Sequence, residues 1–326
     1  LRLAPGPGTP SRTHAHVPRG PAVFQAGPLR TGRPDLCAEV QRPPLGVETL
    51  SRREGQRIID LARGSMVTRS RDLDAFAYGD PEDVRIFDCG DRLELAAIGM
   101  IPERRLLLEA VYGFLTLKNG VPIGYVLNSA LFGSAEMAYN VFETFRGAEA
   151  AHIYGRVMAT VRALFGADSF TIYPYQLGGD GNDEGLQSGA WWFYQKLGFR
   201  ARNPQTLRLM RSELRRMKTN PGHRSSIPTL RQLAEENVYL HCERERDDVI
   251  GLLPFENVGM AITSSLARRF GSDRSRGEGA LAREAAERLG VDVGRGLPAS
   301  QRLAWRRWAP LVAILPGLDG WSRAEK

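Results

Sequence analysis

Asn140-Val141-Phe142-Glu143-Thr144-Phe145-Arg146-Gly147 and, further on, Trp192-Phe193-Tyr194-Gln195-Lys196-Leu197-Gly198-Phe199 bound the stretch whose reading decides the fold. Between them apolar residues recur at Ala150, Ile153, Tyr154, Val157, Met158, Val161, Leu164 and Phe165, which is helical spacing, and Gly166 closes the run. Ser169-Phe170-Thr171-Ile172-Tyr173 is β-branched and aromatic and predicts a strand. Gly189 to Leu197 predicts a short helix stopped by Gly198. Strand, helix, strand, helix implies a parallel pair joined by a crossover.

Upstream, Tyr112 to Lys118 alternates as a strand, Asn119-Gly120 signals a tight turn, and Val121 to Leu127 returns antiparallel. Ser134 to Phe142 predicts the next strand, with Gly133 as its turn. Val84 to Asp88 and Leu93 to Ile98 flank Cys89-Gly90-Asp91 and predict a second hairpin. Leu50 to Ala62 has the apolar spacing of an amphipathic helix.

At these residues the chain resembles the GNAT family of acyltransferases, which use acetyl-CoA or another acyl-CoA as co-substrate. Val141 to Gly147 looks like the end of the family's fourth strand entering its phosphate-binding turn, whose pattern is Arg or Gln, two residues, Gly, one residue, then Gly or Ala. Trp192 to Phe199 looks like the family's late helix, Phe-Tyr, two residues, Leu-Gly-Phe. The Tyr112–Leu127 hairpin matches the second and third strands. The resemblance covers about half the chain, from roughly Tyr112 to Arg200 and more loosely from Gly46. It implies an α/β domain with a mixed, mostly antiparallel central sheet flanked by helices.

The turn's chemistry is anion binding. Amides at a helix N-terminus lack intrahelical acceptors and carry partial positive charge, so a turn of small residues admits a pyrophosphate. The resemblance assigns Arg146, Gly147, Ala148 and Ala151 to that cradle and Val141 to the strand beside the pantetheine. Glu149, however, stands where the family has its first glycine. Two like charges about 4 Å apart repel by roughly 4 kcal/mol at an effective dielectric near 20. The competing reading places Glu149 near the third helical residue, reaching back to cap the helix.

The same resemblance makes Tyr194 the general acid that protonates the departing thiolate, against a reading of Trp191 to Tyr194 as packed core. Glu143 is the second catalytic candidate, a carboxylate at the strand end able to take a proton from an incoming amine. Neighbours on a strand alternate faces, so Phe142 and Glu143 cannot both point into one site. Asn182, Asp183 and Glu184 lie in a glycine-rich connection, Gly178 to Ser188, read either as a loop holding acceptor or as a mobile loop.

Residues 1–45 carry nine of the twenty prolines and no apolar period, which predicts a disordered Pro/Gly/Arg-rich arm. Residues 46–204 are then the acyltransferase-like domain and 205–326 a basic, mainly helical extension, with helices expected over Gln205 to Met217, Thr229 to Asn237, Val249 to Phe270, Gly279 to Leu289 and Gln301 to Leu315. Trp305, Trp308, Leu311 and Val312 are placed as docking residues of the last of these.

Composition limits the remaining classes. Three separated cysteines and five scattered histidines give neither a disulfide framework nor metal-ligand spacing, so no metal is expected and a cytoplasmic location is. No signal peptide is expected, and Ala309 to Leu318 is too short and proline-broken to span a bilayer. A formal charge of +7 and the run Arg208, Arg211, Arg215, Arg216, Lys218, Arg224, Arg231 keep nucleic-acid binding as a hypothesis below the enzyme, since no reading module accompanies them. The leading expectation is an acyl-CoA-dependent N- or O-acyltransferase acting by direct transfer to a small-molecule or protein amine. A fold that has lost catalysis and serves as scaffold or ligand sensor is the alternative.

Overall fold

A computed structural model describes residues 16–69, 71, 73–147, 149–293 and 296–326. These divide into two units, one holding the chain up to Ile101 with Glu109–Leu252, the other Pro102–Leu108 with Leu253–Lys326.

In the first unit the elements run α1 (Leu36–Val40), β1 (Gly46–Thr49), α2 (Arg52–Val67), α3 (Asp74–Ala77), β2 (Gly79–Asp88), β3 (Leu93–Met100), β4 (Ala110–Lys118), β5 (Val121–Leu131) and β6 (Ser134–Val141). There follow α4 (Ala150–Phe165), β7 (Ser169–Ile172), α5 (Pro174–Leu177), α6 (Asp183–Ser188), α7 (Ala190–Lys196), β8 (Arg200–Ala201), α8 (Pro204–Thr219), α9 (Ile227–Leu233) and β9 (Val238–His241). Among the described residues the strands form one sheet in the order β1-β2-β3-β4-β5-β6-β7-β9-β8. Every pairing is antiparallel except β6 with β7, the parallel pair bridged by α4. The protein is therefore α/β with a mostly antiparallel sheet flanked by helices.

Each element follows from local chemistry. Asn119 (φ 52°) and Gly120 (φ 75°) supply the two positive φ angles of a tight hairpin turn between β4 and β5. Ser51 and Glu54 close a reciprocal capping box at the start of α2, and Gly166 ends α4 in the left-handed region. Strand β3 is buried along its whole length because both sheet faces are covered. On one face Leu95, Phe114, Val126 and Met137 meet Tyr154, Val157 and Val161 of α4. On the other, Ile86, Ile98, Leu115 and Tyr125 meet Ile58, Ile59 and Ala62 of α2. Each such side chain contributes about 1.5–3 kcal/mol by burial.

Three expectations change. The 1–45 arm contains α1, capped by Asp35, with Leu36 and Val40 in the core and Arg156 of α4 donating to the carbonyls of Arg42 (2.8 Å) and Pro43 (3.1 Å). A five-residue helix offers only one i, i+4 apolar pair, too little to register as a period. The extension does not begin at residue 205. Val238-Tyr239-Leu240-His241, which lies between two expected helices of the extension, is β9, inserted between β7 and β8 and buried at Val238, Tyr239 and Leu240. Residues 205–252 thus belong to the first unit. Finally, Gly178 to Ser188 is not all loop: Asn182 caps α6 by accepting from the Gly185 amide at 3.1 Å.

The second unit contains α10 (Phe255–Phe270), α11 (Arg274–Leu289) and α12 (Ala299–Ile314) around Ile262, Leu266, Leu281 and Ala313. Trp305 Nε1 donates to the Ala282 carbonyl at 3.2 Å, so this tryptophan does dock α12, whereas Trp308 is 43% exposed. Among the described residues no helix is long and apolar enough to cross a membrane.

Candidate functional site

Strands β6 and β7 pair only at Ser134 with Ser169, Ala135 with Phe170 and Glu136 with Thr171. Beyond that point β7 ends at Ile172 and Pro174 opens α5, because proline has no amide to continue the ladder. Met137 to Val141 continue along β5 alone, with Tyr125 opposite Asn140 and Gly124 opposite Val141. The pairing of the two parallel strands thus stops short, and beside the unpaired end of β6 lies a cleft of about 530 Å³. Tyr139, Asn140 and Val141 form its strand wall, Arg146, Gly147 and Ala150 its turn, α5 and α6 its far rim, and Phe193 and Tyr194 of α7 its remaining wall.

Tyr194 lies in the cleft wall and is 3% exposed. Its ring is edge-on to Tyr154 (5.8 Å, 74°) and Phe199 (5.5 Å, 77°), which fixes its orientation. Its hydroxyl makes no hydrogen bond among the described residues. Burial raises its pKa far above the ordinary tyrosine value, so at neutral pH it is a proton donor. Tyr139 faces the same space, donates to the Ala150 carbonyl at 3.2 Å, and has its pKa raised by burial and then by Tyr194. Tyr154 is wholly buried, and its hydroxyl has no partner among the described residues. Both the acid reading and the packed-core reading of Tyr194 are thus physically present: a buried ring and a cleft-facing wall.

At the turn, β6 stops at Val141 and Glu143–Phe145 forms a 3-10 turn before α4. Arg146 and Gly147 line the cleft, as does Val141. Arg146 Nε donates to the Val141 carbonyl at 3.4 Å, and its Nη2 bonds Glu184 of α6. Arg71 grips the same carboxylate with both nitrogens, at 2.9 and 3.0 Å. These hydrogen bonds, from Arg71 first and then Arg146, hold the Glu184 carboxyl at about 2. Ala148 lies outside the described residues. Ala151 is half-buried against the core and is not part of the cleft wall, whereas Ala150 is.

Glu149 does not cap α4. It occupies the N-cap position with helical backbone angles and no side-chain cap bond, and its Oε1 accepts from the Arg30 amide at 3.3 Å. It is absent from the cleft wall, so the repulsion expected against a phosphate there does not arise from its observed position. Glu143 is exposed in the 3-10 turn and also outside the cleft, while its neighbour Phe142 is buried in the core. The structure does not bring Glu143 to Tyr194.

A different carboxylate on β6 carries an altered proton affinity. Burial, and then repulsion from Glu109, pushes the Glu136 carboxyl up to about 7. It sits at the last β6–β7 pair rather than in the cleft wall.

Compared with protein-family models, with curated proteins and with solved structures, the chain matches none.

What the cleft can do follows from its residues alone. One end presents guanidinium groups and an N-terminus of α4 that no side chain caps among the described residues, which suits an anion. The opposite wall presents Tyr194, whose phenol is able to donate to developing negative charge. Sequence reading missed Arg71, Tyr139 and Tyr154. Tyr154 falls within the helical apolar stripe and Tyr139 on the inward side of its strand, so both look like ordinary core. Arg71 lies far upstream, and only the fold brings it to Glu184.

Proposed function

We propose that the first unit is an acyl-CoA-dependent N- or O-acyltransferase that moves an acyl group, acetyl in the simplest case, directly to an amine or other nucleophile. The observation that carries this reading is the early end of the β6–β7 pairing. Beside the freed end of β6 lies one cleft with Arg146 and Gly147 at one end and Tyr194 in its wall. In this reading the pyrophosphate lies at Arg146, Gly147 and the start of α4, and the pantetheine runs beside Val141 toward Tyr194.

In the reaction the acceptor's lone pair attacks the thioester carbonyl, the carbon–sulfur bond breaks, the Tyr194 hydroxyl gives its proton to the leaving thiolate, and the proton shed by the acceptor passes through solvent to restore the phenol. A neutral, desolvated phenol suits that step, since it donates only where charge develops. No serine or cysteine nucleophile is required.

A second reading, a fold that no longer binds a donor, draws on the Glu184 carboxylate already held by Arg71 and Arg146. Thermal unfolding with added acetyl-CoA separates the two. Donor binding raises the midpoint with ligand concentration by mass action; an unmoved midpoint at millimolar acetyl-CoA leaves the second reading.

For nucleic acid, Arg208, Arg211, Arg215 and Lys218 form an exposed stripe along one side of α8. A single-stranded or duplex oligonucleotide held there would dissociate steeply with salt.

A further inference from the structure

We propose that Glu184 is a built-in competitor of the ligand's phosphate: its carboxylate occupies the anion subsite formed jointly by Arg71 and Arg146 and must turn out before a pyrophosphate can enter. The inference rests on reading the cleft as a donor site and adds to it a residue, Arg71, that no part of the strand-to-helix turn supplies.

All three side chains line the same cleft. Arg71 presents its fork to both oxygens of Glu184, Nη1 to Oε2 at 2.9 Å and Nη2 to Oε1 at 3.0 Å, while Arg146 Nη2 reaches Oε1 from the other side. A guanidinium fork accepts a carboxylate or a phosphate with the same two parallel hydrogen bonds, so the position held by Glu184 is one a phosphate can take. Charge favours the exchange. A pyrophosphate brings more negative charge to the two guanidinium groups than the carboxylate it displaces.

The clasp is also easy to open. Glu184 is 48% exposed, Arg146 45% and Arg71 27%, so the ion pairs are solvated and individually weak. The carboxylate has water to turn into. Its helix need not move: Leu186 anchors α6 in the core at 3% exposure and Asn182 holds the preceding turn by donating to the Tyr175 carbonyl at 2.7 Å. A side-chain rotation is sufficient. An internal carboxylate of this kind lowers affinity for every phosphate ligand alike and leaves discrimination to the rest of the cleft.

The test is calorimetric titration of inorganic pyrophosphate into the full chain, the Glu184→Gln variant and the Arg71→Gln/Glu184→Gln double variant, at low salt. Glu184→Gln keeps the shape and removes the charge at a half-exposed site, so the fold is retained. The expected result is binding about tenfold tighter in Glu184→Gln than in the natural protein, with the gain lost in the double variant. Equal or weaker binding by Glu184→Gln overturns the proposal, and a gain that survives loss of Arg71 overturns the joint subsite. A parallel titration with acetyl-CoA keeps the two readings apart. If pyrophosphate binding tightens but neither protein takes acetyl-CoA, the clasp stands and the acyltransferase reading falls. If both take acetyl-CoA equally, the acyltransferase reading stands and the clasp falls.

Discussion

The ring of Tyr194 stands edge-on to the ring of Tyr154, centroids 5.8 Å apart at 74°, and both side chains are buried, yet only Tyr194 reaches the cleft. That division of labour makes the two hydroxyls separable by experiment. Tyr194→Phe keeps the aromatic packing and removes the proton. If Tyr194 is the acid, release of free thiol slows about 100-fold or more while acetyl-CoA affinity stays within about threefold. An unchanged rate returns Tyr194 to the core.

Tyr154→Phe should do the opposite. Its hydroxyl is buried without a partner among the described residues, a state that costs about 1–3 kcal/mol. Deleting it is expected to leave stability unchanged or raise it by about 1 kcal/mol in urea unfolding. A clear loss of stability would show that the hydroxyl is satisfied by a bound water.

Glu149 gives a prediction that the sequence pattern alone reverses. Read on the family pattern, Glu149→Gly should rescue donor binding. The side chain instead accepts from the Arg30 amide and lies outside the cleft, so the substitution should change acetyl-CoA affinity less than about threefold. A gain of tenfold or more would place the carboxylate in the phosphate's path.

Glu136 sets a pH dependence. Its pKa is raised from about 4.5 to about 7, first by burial and then by Glu109. Between these values the folded state binds a proton that the unfolded state has lost, so stability falls as pH rises through that window. The full shift corresponds to at most about 3 kcal/mol, and partial exposure reduces it. Glu136→Gln should therefore flatten the stability profile between pH 5 and pH 7, and stabilise the protein by about 1–2 kcal/mol at pH 8. A profile that keeps its slope assigns the effect elsewhere.

Gly113 tests the core on the α2 face. A Cβ there would meet Cε1 of the fully buried Phe76 ring at 2.6 Å. Gly113→Ala should cost about 1–3 kcal/mol by overpacking, and Gly113→Ala with Phe76→Leu should recover part of it. Equal stability of Gly113→Ala and the natural protein in urea would mean that the ring has room to shift.

How much of this was legible without coordinates varies with the range of the interaction. Long periodic elements were readable: α4 runs Ala150–Phe165, and the Asn119-Gly120 hairpin and the β6–α4–β7 crossover stand where periodicity and turn chemistry put them. Short elements were not. Val238 to His241 is four residues long and becomes a strand because β7 and β8 offer it two antiparallel edges, a tertiary cause that no local pattern records. The same holds for α1, whose Leu36 and Val40 are ordered by packing on α4. Of the residues that the resemblance singled out, Tyr194, Arg146, Gly147 and Val141 line one cleft, since the turn and the aromatic helix are local motifs whose ends the fold brings together. Glu143 was misplaced because the strand ends at Val141, two residues before it, and the chain tightens into a 3-10 turn. Arg71 and Glu184 meet across 113 residues of chain, and only the fold shows it.

On the proposed function, the cleft beside the end of β6 holds an acyl-CoA by its phosphates at Arg146. Isothermal titration of acetyl-CoA and longer acyl-CoAs into the full chain and into Arg146→Gln tests it most directly. The account predicts one site per chain, weakened about tenfold or more by Arg146→Gln and strengthened by low salt. Absence of binding by any acyl-CoA at millimolar ligand, or binding indifferent to Arg146, would contradict it.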